Sequence, residues 1–324
     1  MTLRSGLVLS TLLALVPSTL AAAPPAAPAA PAAPAAPAAK AKNAPGVIEM
    51  WVRTPGDYGQ GSPPAPTAEK QVELSSLGLS DIEHMDVQYE GSFRFRGVSL
   101  RKLIDAYNPP NTVDTALLRF KNGMIIAMPL RDEAAWSKLD PIVAVAIHAD
   151  DSKPPTTLPN ISRRVEDYVD VRAITFSGNK IVVKDRWHSQ VPAAMSDVFS
   201  PWTQADTLVA IEFVHNVAYL RQFNPDPSQG AGHDLFSQTC VFCHGARKVG
   251  ASFGWDFVKP YEMYKYKESG RRLFHHMKYR ATSETYRGAL MPALKFVTED
   301  QAEKLWLWLR VIGTQQQPRY TPTL

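Results

Sequence analysis

Between residues 47 and 223 the apolar positions fall in short runs rather than long stripes. Residues 47–53, 116–120, 124–129, 142–148, 169–176, 180–184 and 208–214 are rich in β-branched and aromatic side chains and read as strands. Lys121-Asn122-Gly123 parts two of these runs and Ser177-Gly178-Asn179 parts two others, each with the composition of a hairpin turn. Residues 99–107 place Leu100, Leu103, Ile104 and Tyr107 at helical spacing, with Ser99 to cap the start. A proline-rich stretch, 153–160, reads as a rigid loop. After the turn-rich segment 224–230 the pattern becomes helical, over 232–238, 261–279 and 298–312. The last is the clearest: Thr298 and Gln301 form a capping box, Glu299 and Asp300 suit the positive end of the helix, and Leu305, Trp306, Leu309 and Ile312 supply an apolar face. The expectation is an α+β domain with a mixed sheet over 46–224, followed by an all-α domain over 225–324.

The N-terminus adds two segments that are not part of either fold. Arg4, the apolar run 6–16 and the small residues Ala21, Ala22 and Ala23 compose a secretory signal, residues 1–23. Pro17 and the Ala/Pro run behind it leave the apolar stretch shorter than the roughly 20 residues a spanning helix needs. Export with cleavage, to the periplasm or another extracytoplasmic space, is therefore the reading, and an uncleaved anchor the alternative. Residues 24–45 are nearly all Ala and Pro, an extended tether. The net charge of +4 on 324 residues is too small and diffuse to argue for nucleic acid.

Export usually brings disulfides, yet the chain has 2 cysteines, both in one short segment. Cys240-Val241-Phe242-Cys243-His244 is C-x-x-C-H, the pattern of c-type haem attachment. Two thiols two residues apart on one turn reach the two haem vinyl groups, and the adjacent His lies under the iron. A zinc site would call for further Cys or paired His ligands, and a redox dithiol for a βαβ context.

Residues 232–245 resemble the opening helix of class I cytochrome c, and Met291-Pro292-Ala293 with the helix from Thr298 resembles its closing half; the likeness covers roughly residues 228–314. The resemblance implies one covalent haem held by Cys240 and Cys243, with His244 and Met291 as the axial iron ligands. Met291 lies 47 residues after His244; Met277, His275 and His276 are its rivals. It also implies that Phe236 packs on the terminal helix near Trp306 and Leu309. The family usually carries a proline soon after the motif, whose carbonyl orients the histidine. Residues 246–257 contain none, so another carbonyl must serve. Trp255, Tyr264 and Tyr279 are candidates for contact with the haem propionates, or for packing alone.

In the first domain, residues 95–104 with Gly97-Val98-Ser99-Leu100, then 120–123, Met128-Pro129-Leu130 and Val171-Arg172-Ala173-Ile174, resemble the sulfite oxidase-type molybdopterin domain over roughly 45–190. In that family a Cys thiolate ligates molybdenum. This domain has no cysteine, which argues against a molybdopterin cofactor and for docking, assembly or ligand binding. His84, His148, His188 and His215 are scattered single histidines, in principle a replacement metal site.

The leading expectation is a mono-haem electron carrier with no bond-making chemistry, alone or as a subunit of a larger redox complex. Between Lys259 and Arg287 eight basic residues stand against three acidic ones, either a surface suited to an acidic redox protein partner or simply a solvated helix face. The rivals are a fused oxidoreductase, whose first domain oxidises a small substrate and feeds the haem, and a haem-based sensor or interaction protein.

Overall fold

The apolar runs mostly become strands paired in one sheet. In a computed structural model of the chain, the described residues are 46–53, 70–87, 91–148, 157–158, 169–170, 173–188, 191, 200–223, 230–247, 249–258, 263–266, 269–279, 291 and 293–314. The expected signal (1–23) and tether (24–45) lie outside them. So do the loop 153–156, Val171-Arg172, the turn 224–229 and Pro292. Residues Asn43–Leu324 form a single compact unit.

The strands are β1 (Val47–Val52), β2 (Lys70–Glu73), β3 (Ser80–Asp86), β4 (Gly91–Ser99), β5 (Thr115–Phe120), β6 (Ile125–Pro129), β7 (Ile142–His148), β8 (Thr157–Leu158), β9 (Val169–Asp170), β10 (Ala173–Val182), β11 (Thr207–Val214), β12 (Gly245–Ala246) and β13 (Val249–Gly250). Helices α1 (Leu100–Tyr107), α2 (Glu133–Leu139), α3 (Asn216–Arg221), α4 (Gly230–Leu235), α5 (Met263–Tyr266), α6 (Gly270–Tyr279) and α7 (Glu299–Thr314) fill the intervals.

Among the described residues, nine strands form one mixed sheet, ordered β2-β1-β11-β10-β7-β4-β3, with β5 on β11 and β6 on β5. The β1–β11 pair is parallel, Met50 facing Ile211; β11–β5 and β5–β6 are antiparallel. The α+β class with a mixed sheet is thus observed. The Lys121-Asn122-Gly123 turn forms as expected: Gly123 adopts φ +88°, its N–H donates to the Phe120 carbonyl at 2.9 Å, and Asn122 Oδ1 accepts the Met124 N–H at 3.1 Å.

The second expected hairpin does not form. Ser177-Gly178-Asn179 lies inside one long strand, β10, as a register irregularity between Thr175 and Lys180 against β7. The Asn179 side chain explains the difference. Its Oδ1 accepts the Gly46 N–H at 2.8 Å and its Nδ2 donates to the Val47 carbonyl at 3.1 Å. The amide thus acts as a piece of backbone inside the sheet and lets the strand bulge rather than turn.

Helix α1 is capped as expected, Ser99 Oγ accepting the Lys102 N–H at 3.1 Å, and ends at Asn108 with φ 59°. Helix α7 forms with both capping-box bonds: the Thr298 N–H donates to Gln301 Oε1 at 2.9 Å and the Gln301 N–H to Thr298 Oγ1 at 3.2 Å. Its buried face differs from the expected one. Ala302, Leu305, Trp308, Leu309 and Ile312 are buried, whereas Trp306 is half-buried under the Arg310 guanidinium at 4.8 Å. The expected helix over 261–279 is two shorter ones, α5 and α6.

One continuous core joins the sheet to the C-terminal segment: Leu117, Ile125 and Phe120 belong to the same buried cluster as Val241, Phe242 and Trp308. A smaller cluster, Phe95, Ile142, Ala144, Ile147 and Val182, lies in the β4-β7-β10 part of the sheet.

Candidate functional site

The C-x-x-C-H residues sit where a helix is interrupted. After α4, residues Phe236–Cys240 form a π-helical turn, sealed by the Val241 N–H donating to the Phe236 carbonyl at 3.0 Å. Such turns concentrate at functional sites because they rotate the following side chains off the regular helical face. The chain then folds back on itself: Cys243 and His244 both donate their N–H to the Cys240 carbonyl, at 3.1 and 2.8 Å. Cys240, Cys243 and His244 are thereby brought onto one turn.

Phe236 anchors this turn from below. Its ring meets Trp308 at 5.0 Å and Phe257 at 5.9 Å. The expected contact with the terminal helix therefore exists, but its partner is Trp308 rather than Trp306. Gly232 is required at this crossing, since a Cβ there would stand 2.6 Å from Trp308 Cβ.

The carbonyl that orients His244 is that of Trp255. His244 Nδ1 lies 2.8 Å from it, and a carbonyl can only accept, so Nδ1 carries the proton and Nε2 is the lone-pair nitrogen. The ring is fixed from two sides: Phe257 at 4.4 Å and 34°, and Gly254, where any Cβ would overlap the imidazole. Gly254 is itself tied to the motif, its N–H donating to the Cys243 carbonyl at 2.7 Å. Asp256 Oδ1 accepts from the Arg247 and Val258 N–H groups at 3.1 and 2.8 Å, closing the loop around β12 and β13. The Arg247 side chain donates through Nε to the Ile312 carbonyl at 2.8 Å, binding the loop to the last turn of α7.

Both cysteines are free thiols. Burial pushes Cys240 and Cys243 up to about 12. A nucleophilic C-x-x-C lowers a thiol instead, by charge or a helix N-terminus, and burial here acts in the opposite direction. Among the described residues no three His, Cys, Asp or Glu side chains converge to hold a metal ion. His84 and His188 are buried and His215 caps α3 through the Ala218 N–H at 3.4 Å. The donor set here is two thiols and one Nδ1-anchored imidazole, which fits a covalently attached metal macrocycle better than a tetrahedral ion.

Met291 is half-buried and packs on the core that also contains Cys240. The segment behind it is fixed to α6 by the Leu294 N–H donating to the Met277 carbonyl at 2.9 Å. Among the rivals, Met277 is buried, His275 is exposed and stacked on Tyr279 at 5.6 Å, and His276 is half-buried. Trp255 and Tyr279 are exposed; the Tyr264 side chain lies outside the described residues. Of the basic residues, Lys265, Arg271 and Arg272 are exposed and Lys278 half-buried, while Lys259, Lys267, Arg280 and Arg287 lie outside the described residues.

Two further buried features stand outside the motif. Glu212, fully buried on β11, pairs with Arg53 and Arg119, the latter donating through Nε at 2.7 Å. Tyr219 lies beside this group and burial pushes its hydroxyl up to about 12. A single acid in an otherwise apolar strand was the available signal. The other is His188, whose ring meets Phe242 edge-on at 4.8 Å and whose Nε2 donates to the Ala127 carbonyl at 2.9 Å. Burial lowers it to about 4, partly opposed by that hydrogen bond. The sequence offers His188 only as one of four scattered histidines, with no signal of its burial against Phe242.

No protein-family model and no curated protein matches the chain.

Proposed function

We propose that the chain is a mono-haem c-type cytochrome that carries single electrons between redox proteins outside the cytoplasm. The observation that carries this reading is the His244–Trp255 bond: an imidazole held by its Nδ1 proton on a carbonyl, immediately after two thiols on one turn, is prepared to coordinate through Nε2. Cys240 and Cys243 would hold the haem by thioether links, and His244 and Met291 would hold its iron. The haem supplies a one-electron ferric/ferrous couple when bound. The chain's own part is to fix the imidazole through Trp255, Gly254 and Phe257, and to keep water from the buried Cys240 side.

The 225–324 region is read as the cytochrome domain; α4 against α7, joined through Phe236 and Trp308, supports it. The 46–224 region is read as sulfite oxidase-like without molybdenum; the Gly97-Val98-Ser99-Leu100 junction of β4 with α1 and the glycine turn after β5 support that. The exposed Lys265, Arg271 and Arg272 suit an acidic redox partner. No described helix is long and apolar enough to cross a membrane.

The test is a metal and haem count on protein from the exported fraction. About one covalent haem iron and no molybdenum per chain is expected. Met291→Ala should then abolish the Met–iron charge-transfer band of the oxidised protein; a band that survives refutes Met291 as ligand.

A further inference from the structure

We propose that the β5–β6 hairpin of the sheet is a positioning device for His244, with Gly123 as its contact point; this rests on His244 being an iron ligand. The hairpin grips the loop that surrounds His244 at both ends. At one end the Ile125 N–H donates to the carbonyl of Phe242, between the two cysteines, at 3.0 Å. At the other the Gly123 carbonyl accepts the Ser252 N–H at 2.8 Å. Ser252 stands two residues before Gly254, on which the imidazole rests, and three before Trp255, whose carbonyl fixes its Nδ1.

The contact admits only glycine. Gly123 has φ +88°, and a Cβ there would stand 2.6 Å from Ser252 Oγ and 2.8 Å from the Phe253 nitrogen. The turn that presents it is fixed from outside the loop, the Asn122 N–H donating to Asp206 Oδ1 at 3.1 Å. The hairpin also holds Phe242 from a second side, through His188 and its bond to the Ala127 carbonyl on β6. The Phe242–Trp255 loop is thus clamped to a rigid two-stranded element. A hydrogen bond at Nδ1 raises the donor strength of a ligating imidazole. Displacing residues 252–255 weakens that bond, stabilises ferric iron less and raises the reduction potential. In a domain without a cysteine of its own, this gives the sheet a part in setting the haem.

The experiment compares Gly123→Ala with Gly78→Ala in the holoprotein. Gly78 has φ +70° but nothing within 4 Å of its Cβ position. Both variants impose left-handed strain; only the first pushes on the loop. Two readouts are used: the haem midpoint potential, and amide hydrogen exchange at Ser252 and Gly254. Gly123→Ala should keep its covalent haem, exchange the Ser252 amide faster by on the order of tenfold, and raise the potential. Gly78→Ala should match the unaltered protein in both. Asp206→Ala, at an exposed position, should move both readouts the same way by less, and decides the matter if Gly123→Ala does not fold. An unchanged or lowered potential despite faster exchange, or an equal rise in Gly78→Ala, overturns the positioning role. Absence of covalent haem from the unaltered protein overturns the haem reading instead; amide exchange still reports whether the hairpin holds the loop.

Discussion

Acid should weaken the seam between the sheet and the Phe242–Trp255 loop, and His188 is the reason. Its imidazole is buried, packed on Phe242 and Trp202, and donates to the Ala127 carbonyl. Burial lowers its pKa from 6.5 to about 4. Between those values the unfolded chain binds a proton that the folded chain refuses, so stability falls as pH drops from 6.5 and levels off below 4. Linkage puts the loss at about 2 kcal/mol at pH 5 and about 3 kcal/mol at pH 4. Other groups titrate in the same range, so the measured quantity is a difference. Urea unfolding of the native chain and of His188→Gln, whose amide keeps a donor for Ala127, should be compared from pH 7 to pH 4. The native chain should lose roughly 2 kcal/mol more than the variant by pH 5. Parallel stability curves would show that His188 is not held neutral, and the packing of Phe242 against it would need another account.

At the alkaline end the sign is the same and the group is Lys180. Its ammonium is buried against Asp86 at 2.8 Å, and burial lowers it from 10.5 to about 8. From pH 8 to 10 the unfolded chain binds more protons, so the unaltered chain should gain roughly 2 kcal/mol relative to Lys180→Met in denaturant titrations; a constant difference refutes it. In α7, Trp308→Ala removes a fully buried ring from Phe236 and should cost about 3–5 kcal/mol of unfolding free energy, whereas Trp306→Ala should cost about 1 kcal/mol, as a half-buried residue does.

The elements legible in the sequence were those whose signal is local. The α7 capping box is four consecutive residues, and β5, β6, β7 and β11 are apolar because the sheet buries them. Strands β3 and β4 went unread for the opposite reason. Ser80–Asp86 is the edge strand and mostly exposed, while Gly91–Ser99 lies between it and β7 with Phe95, Gly97 and Val98 buried and Ser92, Arg94 and Arg96 exposed, so neither carries a continuous apolar run. The choice between Trp306 and Trp308 could not be made locally. Leu305, Leu309 and Ile312 define the centre of the stripe, and which flank is covered depends on Phe236, about 70 residues away in sequence. Asn179 is the same kind of case: Ser-Gly-Asn is turn chemistry, and only Gly46, Val47 and Leu208 around it turn the signal into a bulge.

The absent proline after the motif shows what the tertiary structure adds. A proline carbonyl would be positioned by its own ring, which fixes φ without help from neighbours. Trp255 has no such constraint and its side chain is exposed, so its carbonyl is only as well placed as the residues on either side. On one side Gly254 is bonded to Cys243, and Ser252 to the sheet through Gly123. On the other Asp256 collects two N–H groups, and Arg247 ties the loop to the Ile312 carbonyl of α7. The restraint that a single residue type provides locally is here spread over a strand hairpin, a carboxylate and a helix end. A loop held that way is only as rigid as the sheet and helix it touches. That is a physical reason for one continuous core to run from Leu117 and Ile125 through Phe242 to Trp308, rather than two cores joined by a linker.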